Sequence, residues 1–190
     1  MLHSILSNSF AKHIKLNQTE EDKIEGFLKF RKLKKKQFFL HENEYTINSA
    51  FVISGCLRSY SIDKNGFEHI LQFAPSGWWI TDINSFIGQN KSILNVDALL
   101  DSEIYFLSRE NQLILFDEIP KLERYFRILT ENSLVSSRQR VLDNLELSAK
   151  DRYIKFCKIY PELINTIPQK QIAAYIGVTP EFLSKLKTEN

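Results

Sequence analysis

The chain has 190 residues, a formal net charge of +2, 43% hydrophobic and 25% charged residues, the balance of a soluble protein long enough for one large or two small domains. No run approaches the ~18 apolar residues of a membrane span, and the opening MLHSILSNSFAKHIKLNQ lacks the charged leader and apolar run of a signal peptide; a cytoplasmic protein with no membrane partner is expected. Cys56 and Cys157 are far apart and outside any CxxC, which argues against a disulfide framework, a zinc site or an iron–sulfur cluster.

Leu2, Ile5, Leu6, Phe10 and Ile14 recur near helical spacing, and TEED at 19–22 resembles a capping box ahead of KIEGFL; two short N-terminal helices are predicted. From Phe30 the pattern changes to short runs rich in β-branched and aromatic residues: FRKLKKKQFFL, AFVISG, CLRSYSID, FEHILQFA, ILNVDALL and SEIYFLS. Asn65-Gly66 fits a tight hairpin between Tyr60 and Ile70. Several short strands at regular spacing mean a sandwich or small barrel. The basic cluster Arg31–Lys36 reads as a charged edge strand rather than a nucleic-acid patch.

After Arg109 the period returns to 3.6. Pro120 opens a helix that runs to about Leu147 with no Gly or Pro, roughly 27 residues and ~40 Å long. One face carries Leu122, Phe126, Leu129, Ser133, Ser136 and Arg140; the adjacent face carries Tyr125, Ile128, Val135 and Leu142. Two partly apolar faces predict one against the β domain and one against a second copy. Leu122, Phe126, Leu129, Ser133 and Ser136 are the candidate dimer residues, the serines permitting close approach; a spacer helix within one chain is the alternative. Ser148 caps a further helix to about Tyr160, with Asp151 reaching back. Pro161 disrupts it and Pro168 marks the next helix. Residues 149–190 hold seven Lys/Arg against four Asp/Glu, a weakly basic module compatible with phosphate contacts.

The closing stretch meets the demands of a helix-turn-helix counted from Gln169. The crossing position is small (Ala173), the turn position accepts a left-handed conformation (Gly177), and Ile172, Ile176, Val178, Leu183 and Leu186 supply the shared core. Thr179 caps the second helix, Pro180 occupies its first turn and Glu181 favours its positive end. The outward residues are polar and of suitable reach, so the DNA-contacting candidates are Gln169, Lys170, Thr179, Pro180, Glu181, Ser184, Lys185 and Thr188.

This order of elements resembles the Crp/Fnr family of bacterial transcription regulators, and its Bacteroidetes-type branch in particular. The resemblance is carried by FVISGCLRSY (51–60), NGFEHILQFAPSGWWITDINSF (65–86), SAKDRYIKFCKIYP (148–161) and IPQKQIAAYIGVTPEFLSKLK (167–187). It implies an α+β chain: a double-stranded β-helix or jelly-roll barrel at 1–116, a long dimerisation helix at 117–147, and an all-α helix-turn-helix domain at 148–190. It also implies a homodimer on palindromic double-stranded DNA, with RNA polymerase as a further partner. Glu181 falls where the family has a base-reading Glu. Lys185 falls where an Arg is usual and Pro180 where cyclic-AMP-responsive members place another, so a different operator is expected. The chain stops at Asn190, and no β-wing after the recognition helix is expected.

The sensor end departs further. Cyclic-nucleotide-binding members have a Gly-Glu pair and, about ten residues on, an Arg-Ser pair around the cyclic phosphate. Here Asp82 takes the Glu position and Ser92 the Arg position, with Lys91 next door. Without the Arg no fixed fork faces the phosphate, and Asp97 adds the wrong sign if it faces inward. The effector is therefore expected to be unknown and not a cyclic nucleotide. Trp78, Trp79, Asp82, Ser85, Lys91 and Ser92 are the candidate pocket residues; no cofactor or metal is expected.

An enzyme is disfavoured. The four His include no HxH, Glu68 and His69 point to opposite faces of a strand, and no GxSxG, P-loop or HExxH is present. The remaining alternative is a cyclic-nucleotide- or other small-molecule-binding module whose C-terminal helices only pack.

Overall fold

The computed structural model describes residues 2–188. Its elements alternate as the sequence pattern requires: two helices, α1 (Ser4–Ala11) and α2 (Gln18–Phe27), then β1 (Lys29–Leu33), β2 (Phe38–Leu40), β3 (Asn48–Ser54), β4 (Cys56–Ile62), β5 (Glu68–Pro75) and β6 (Trp79–Ile80). A short helix α3 (Ile83–Gly88) precedes β7 (Asn95–Ala98) and β8 (Ser102–Ser108). Helices α4 (Arg109–Glu118), α5 (Lys121–Glu146), α6 (Ala149–Ile159), α7 (Gln169–Ile176) and α8 (Pro180–Thr188) complete the described chain, with one 3-10 turn at Pro161–Leu163. The fold class is α+β, with a jelly-roll-like β domain, a long helix and C-terminal helices.

The strands form two four-stranded sheets, ordered β1-β8-β3-β6 and β2-β7-β4-β5. Between them lie Leu33, Ala50, Val52, Ile80 and Ile104 from the first sheet and Leu40, Leu57, Ala74, Val96 and Ala98 from the second. Strand alternation turns the intervening residues outward. Phe51, Ile53 and Leu107 thus leave the first sheet on its other side and join Leu6, Phe10, Ile24, Leu115, Leu122 and Tyr125 in a second buried cluster. At its centre the Tyr125 hydroxyl meets Ser9 Oγ at 2.7 Å and accepts from Trp79 Nε1 at 3.0 Å. The β3–β4 corner is drawn so tight that a Cβ on Gly55, at φ +85°, would sit 2.3 Å from Asp101 O; only glycine fits there.

The N-terminal cap of α2 differs in detail from expectation. Asn17, not Thr19, is the capping residue; its side chain accepts from Glu20 N while Glu20 Oε2 accepts from Asn17 N. Asn binds an amide three residues on as well as Thr does, and Gln18 and Thr19 then fall inside the helix.

Contacts divide the chain into two units. One comprises residues 1–61 and 72–130; the other comprises the hairpin tip 62–71 together with 131 onward. In the second, Phe156, Tyr160, Leu163, Ile167, Ile172, Ala173, Ile176, Leu183 and Leu186 are buried, with the rings of Phe156, Tyr160 and Tyr175 in mutual contact. Arg140 from α5 lies 4.4 Å over the Tyr175 ring and donates to the carbonyls of Ile70 and Leu71. Gln171 Nε2 reaches Glu68 Oε2 at 3.5 Å.

Candidate nucleic-acid interface and effector site

Helices α7 and α8 are joined through Gly177, whose φ of +73° is the left-handed conformation the spacing called for. Val178 N donates to Ala173 O at 3.0 Å, closing the turn against the end of α7. Ile172, Ala173 and Ile176 on one helix bury against Leu183 and Leu186 on the other, and Val178 is half-buried. Arg152 from α6 donates to Ile176 O at 2.9 Å and to Leu147 O at 2.9 Å, tying the end of α7 to the end of α5. Thr179 Oγ1 accepts from Phe182 N at 3.2 Å, so the expected cap on α8 is made.

Gln169, Lys170, Thr179, Pro180, Glu181, Ser184 and Lys185 are all exposed. Pro180, Glu181, Ser184 and Lys185 recur at three- and four-residue spacing, which puts them on one side of α8. Thr188 closes the helix, and its side chain lies outside the described residues. Gln169 is engaged with its neighbours: its Oε1 accepts from Lys187 Nζ at 3.2 Å and its Nε2 reaches Ile164 O at 3.4 Å. The surface is thus a short polar ridge on a buried apolar stripe, with Lys170, Lys185 and Lys187 supplying positive charge.

In the β domain, Asp82 caps α3 through Asn84 N at 3.0 Å. Its other oxygen, Oδ2, accepts from Ile93 N at 2.9 Å and lies 2.8 Å from Ser92 Oγ. Ser92 Oγ is shared with Leu94 O at 2.8 Å and accepts from Leu94 N at 3.1 Å. Ser85 Oγ accepts from Thr46 N at 2.9 Å. Asp82, Ser85 and Ser92 are all at least 98% buried, so the loop satisfies itself: a carboxylate already holds the donors that an anionic ligand would want. Lys91 is exposed, and its backbone bridges to Tyr45.

The tryptophans stand elsewhere. Trp79 packs with the outer cluster of the first sheet, against the rings of Phe51 and Phe126, because its neighbour Ile80 takes the inward position. Trp78 is exposed. Asp97 faces outward on β7, between inward-facing Val96 and Ala98. There Arg58 Nε and Nη2 bind its two oxygens at 2.8 and 2.9 Å. The Arg58 guanidinium lies 4.0 Å from the Tyr60 ring centroid, and Tyr60 Oη is 3.4 Å from Asp97 Oδ2. The condition set for Asp97, that it face inward, is therefore not met. Arg58 was not singled out by the sequence; the Arg-x-Tyr alternation on one strand face was the available signal.

On the long helix, Leu122, Phe126 and Leu129 pack within the outer cluster of the β domain, while Ser133 and Ser136 are exposed. Five other α5 side chains are exposed and apolar: Leu134, Val135, Val141, Leu142 and Leu145.

These features define a jelly-roll-like β domain, a long helix and a helix-turn-helix. Residues 30–118 match the cyclic nucleotide-binding domain family. The chain is 25% identical to an anaerobic regulatory protein of Haemophilus influenzae, over 90% of this chain and 70% of that one. Its fold is similar to the c-di-GMP-responsive global regulator CLP of Xanthomonas campestris, with a TM-score of 0.75, 14% identity and 91% of each chain covered. A putative regulator of the crp/fnr family from Eubacterium rectale aligns with a TM-score of 0.69 at 18% identity, over 90% of this chain and 82% of that one. Together these likenesses support a regulator of the Crp/Fnr type. No described helix is long and apolar enough to cross a membrane.

Proposed function

We propose that the protein is a cytoplasmic, homodimeric, sequence-specific DNA-binding regulator whose β domain responds to something other than a cyclic nucleotide. The observation that carries the DNA reading is the α7–Gly177–α8 unit. Ile172, Ala173, Ile176, Leu183 and Leu186 are taken up in one small core, and the outward ridge offers an acceptor at Glu181, donors at Lys185 and a hydroxyl at Ser184. Selection from a random duplex library with the purified chain should return a two-fold symmetric site. Glu181→Ala with Lys185→Ala should erase the preference for that site over random duplex while leaving self-association intact; unchanged discrimination would refute α8 as the reading element.

The dimer reading is supported by α5. Leu134, Val141 and Leu145, with Arg138 between them, follow the 4-3-4 spacing of a two-helix seam, flanked by Val135 and Leu142. Leu145 is 78% exposed, and so large an apolar stripe fits a second copy of the same helix. Of the five residues first expected at the interface, Leu122, Phe126 and Leu129 already have partners in their own chain, while Ser133 and Ser136 are exposed. Leu134→Glu with Val141→Glu should convert the protein to a monomer in sedimentation velocity; a persistent dimer would place the interface elsewhere.

The effector reading is supported by the Asp82–Ser92 loop. A cyclic phosphate would bring a second anion beside the buried Asp82 carboxylate, and no Arg stands in residues 81–98 to offset it. Calorimetric titration with cyclic AMP and cyclic GMP should show no saturable binding at micromolar concentration; saturable micromolar binding would overturn this part.

A further inference from the structure

The ridge of α8 has one member that the polar reading does not use. Phe182 lies in the first turn of the helix and is 50% exposed. Its backbone N–H is fixed by the Thr179 cap. Its two neighbours diverge: Leu183 turns into the core and Glu181 turns outward. Three residues further on, Lys185 shares the Phe182 flank. Phe182 is thus the large apolar side chain among the exposed, described residues of α8, and it stands at the end of a recognition helix that enters a groove first.

The chemistry of its neighbours leaves a gap that Phe182 fills. Ionised Glu181 only accepts hydrogen bonds and Lys185 only donates them. They can therefore address exocyclic amines, carbonyls and ring nitrogens, but not a methyl group. In the major groove a thymine is marked by its 5-methyl as well as by O4, and an apolar side chain is what recognises that methyl. We propose that Phe182 is a specificity-determining residue that packs on the 5-methyl of a thymine in each half-site, beside the base edges addressed by Glu181 and Lys185. This rests on α8 being the recognition helix, and the experiment separates the two claims.

The selected site is resynthesised with deoxyuridine at each thymine in turn, which deletes only the methyl group, and binding is measured by fluorescence anisotropy. Burying one methyl is worth roughly a factor of four, so the symmetric pair of replacements should weaken the wild type about fifteenfold at one position per half-site. Phe182→Ser should bind the thymine and deoxyuridine sites equally; Phe182→Leu, which keeps an apolar tip, should retain most of the discrimination. Both variants should melt with the wild type, because the ring is half in solvent. If no site is selected at all, the DNA reading and this proposal fall together. If a site is selected but no deoxyuridine weakens it, or Phe182→Ser keeps the discrimination, this proposal alone is refuted. A change in oligomeric state on Phe182→Ser with unaltered thymine preference would likewise overturn it, assigning the ring to a protein contact.

Discussion

Arg58→Met, with Asp97 left in place, tests what the buried pair on β4 and β7 does for the β domain. The two side chains are 8% and 7% exposed and make a two-pronged contact at 2.8 and 2.9 Å. Removing one partner of such a pair leaves a charge without water or counter-ion, which costs about 3–5 kcal/mol. Replacing both, as Arg58→Met with Asp97→Leu, removes the desolvated charges together and should recover most of that loss. An exposed pair is the internal control: Lys32–Glu103, at 2.7 Å but 72% and 39% exposed, should contribute only about 0–1 kcal/mol on Lys32→Met. The assay is urea unfolding at pH 7 followed by tryptophan fluorescence, with Trp79 packed in the same unit, over the four members of the double-mutant cycle. A loss below about 1 kcal/mol for Arg58→Met, or a double variant as unstable as the worse single, would refute the reasoning.

Further outcomes follow from single features. Gly177→Ala meets no atom within 4 Å, so its cost is that of the left-handed backbone, about 1 kcal/mol in urea unfolding; a neutral result would mean the turn is not held at positive φ. Cys56 is fully buried, and burial pushes its thiol up to about 12, so one thiol should react with a disulfide reagent in native buffer and the second only after denaturation. Burial raises the Asp143 pKa, but hydrogen bonds from Lys155 and Gln139 outweigh it and hold the carboxyl below its ordinary range. A lowered folded-state pKa gives stability that is present above the unfolded value, ~3.9, and lost as pH falls through the folded one. The stability gap between wild type and Asp143→Asn should therefore be constant from pH 8 to 5 and close below about pH 4.

The parts legible in the sequence were those governed by local rules. The helix-turn-helix could be read because its core, its turn and its cap lie within 21 residues, each with a distinct chemical demand at a fixed offset. The long helix was legible for the same reason, since nothing between Pro120 and Leu147 can break it. What covers each of its faces was not. Leu122 and Val141 are equally apolar, but one is buried in the same outer cluster as Tyr125 and Phe10 while the other is exposed. Arg58 and Asp97 were illegible for a stronger reason: they are 39 residues apart and meet only because β4 pairs with β7 in one register. Which side of the sheet Trp79 takes was not legible either, because a shift of one residue sends a side chain to the other face. At Asp82 the sequence did not show that one carboxylate both caps α3 and clasps the loop at Ser92 and Ile93.

The tip of the β4–β5 hairpin, residues 62–71, is compact with the C-terminal helices through Arg140 and Gln171. The helix-turn-helix of this chain is therefore not a cassette that one cut can excise. A fragment beginning at 131 would carry the Arg140 guanidinium and the Gln171 amide without the carbonyls and carboxylate they serve. A chimera made by grafting residues 148–190 onto a relative would inherit α8 but a foreign hairpin tip. Moving this helix-turn-helix intact into a relative should accordingly need two exchanged segments, one of them borrowed from the middle of the barrel.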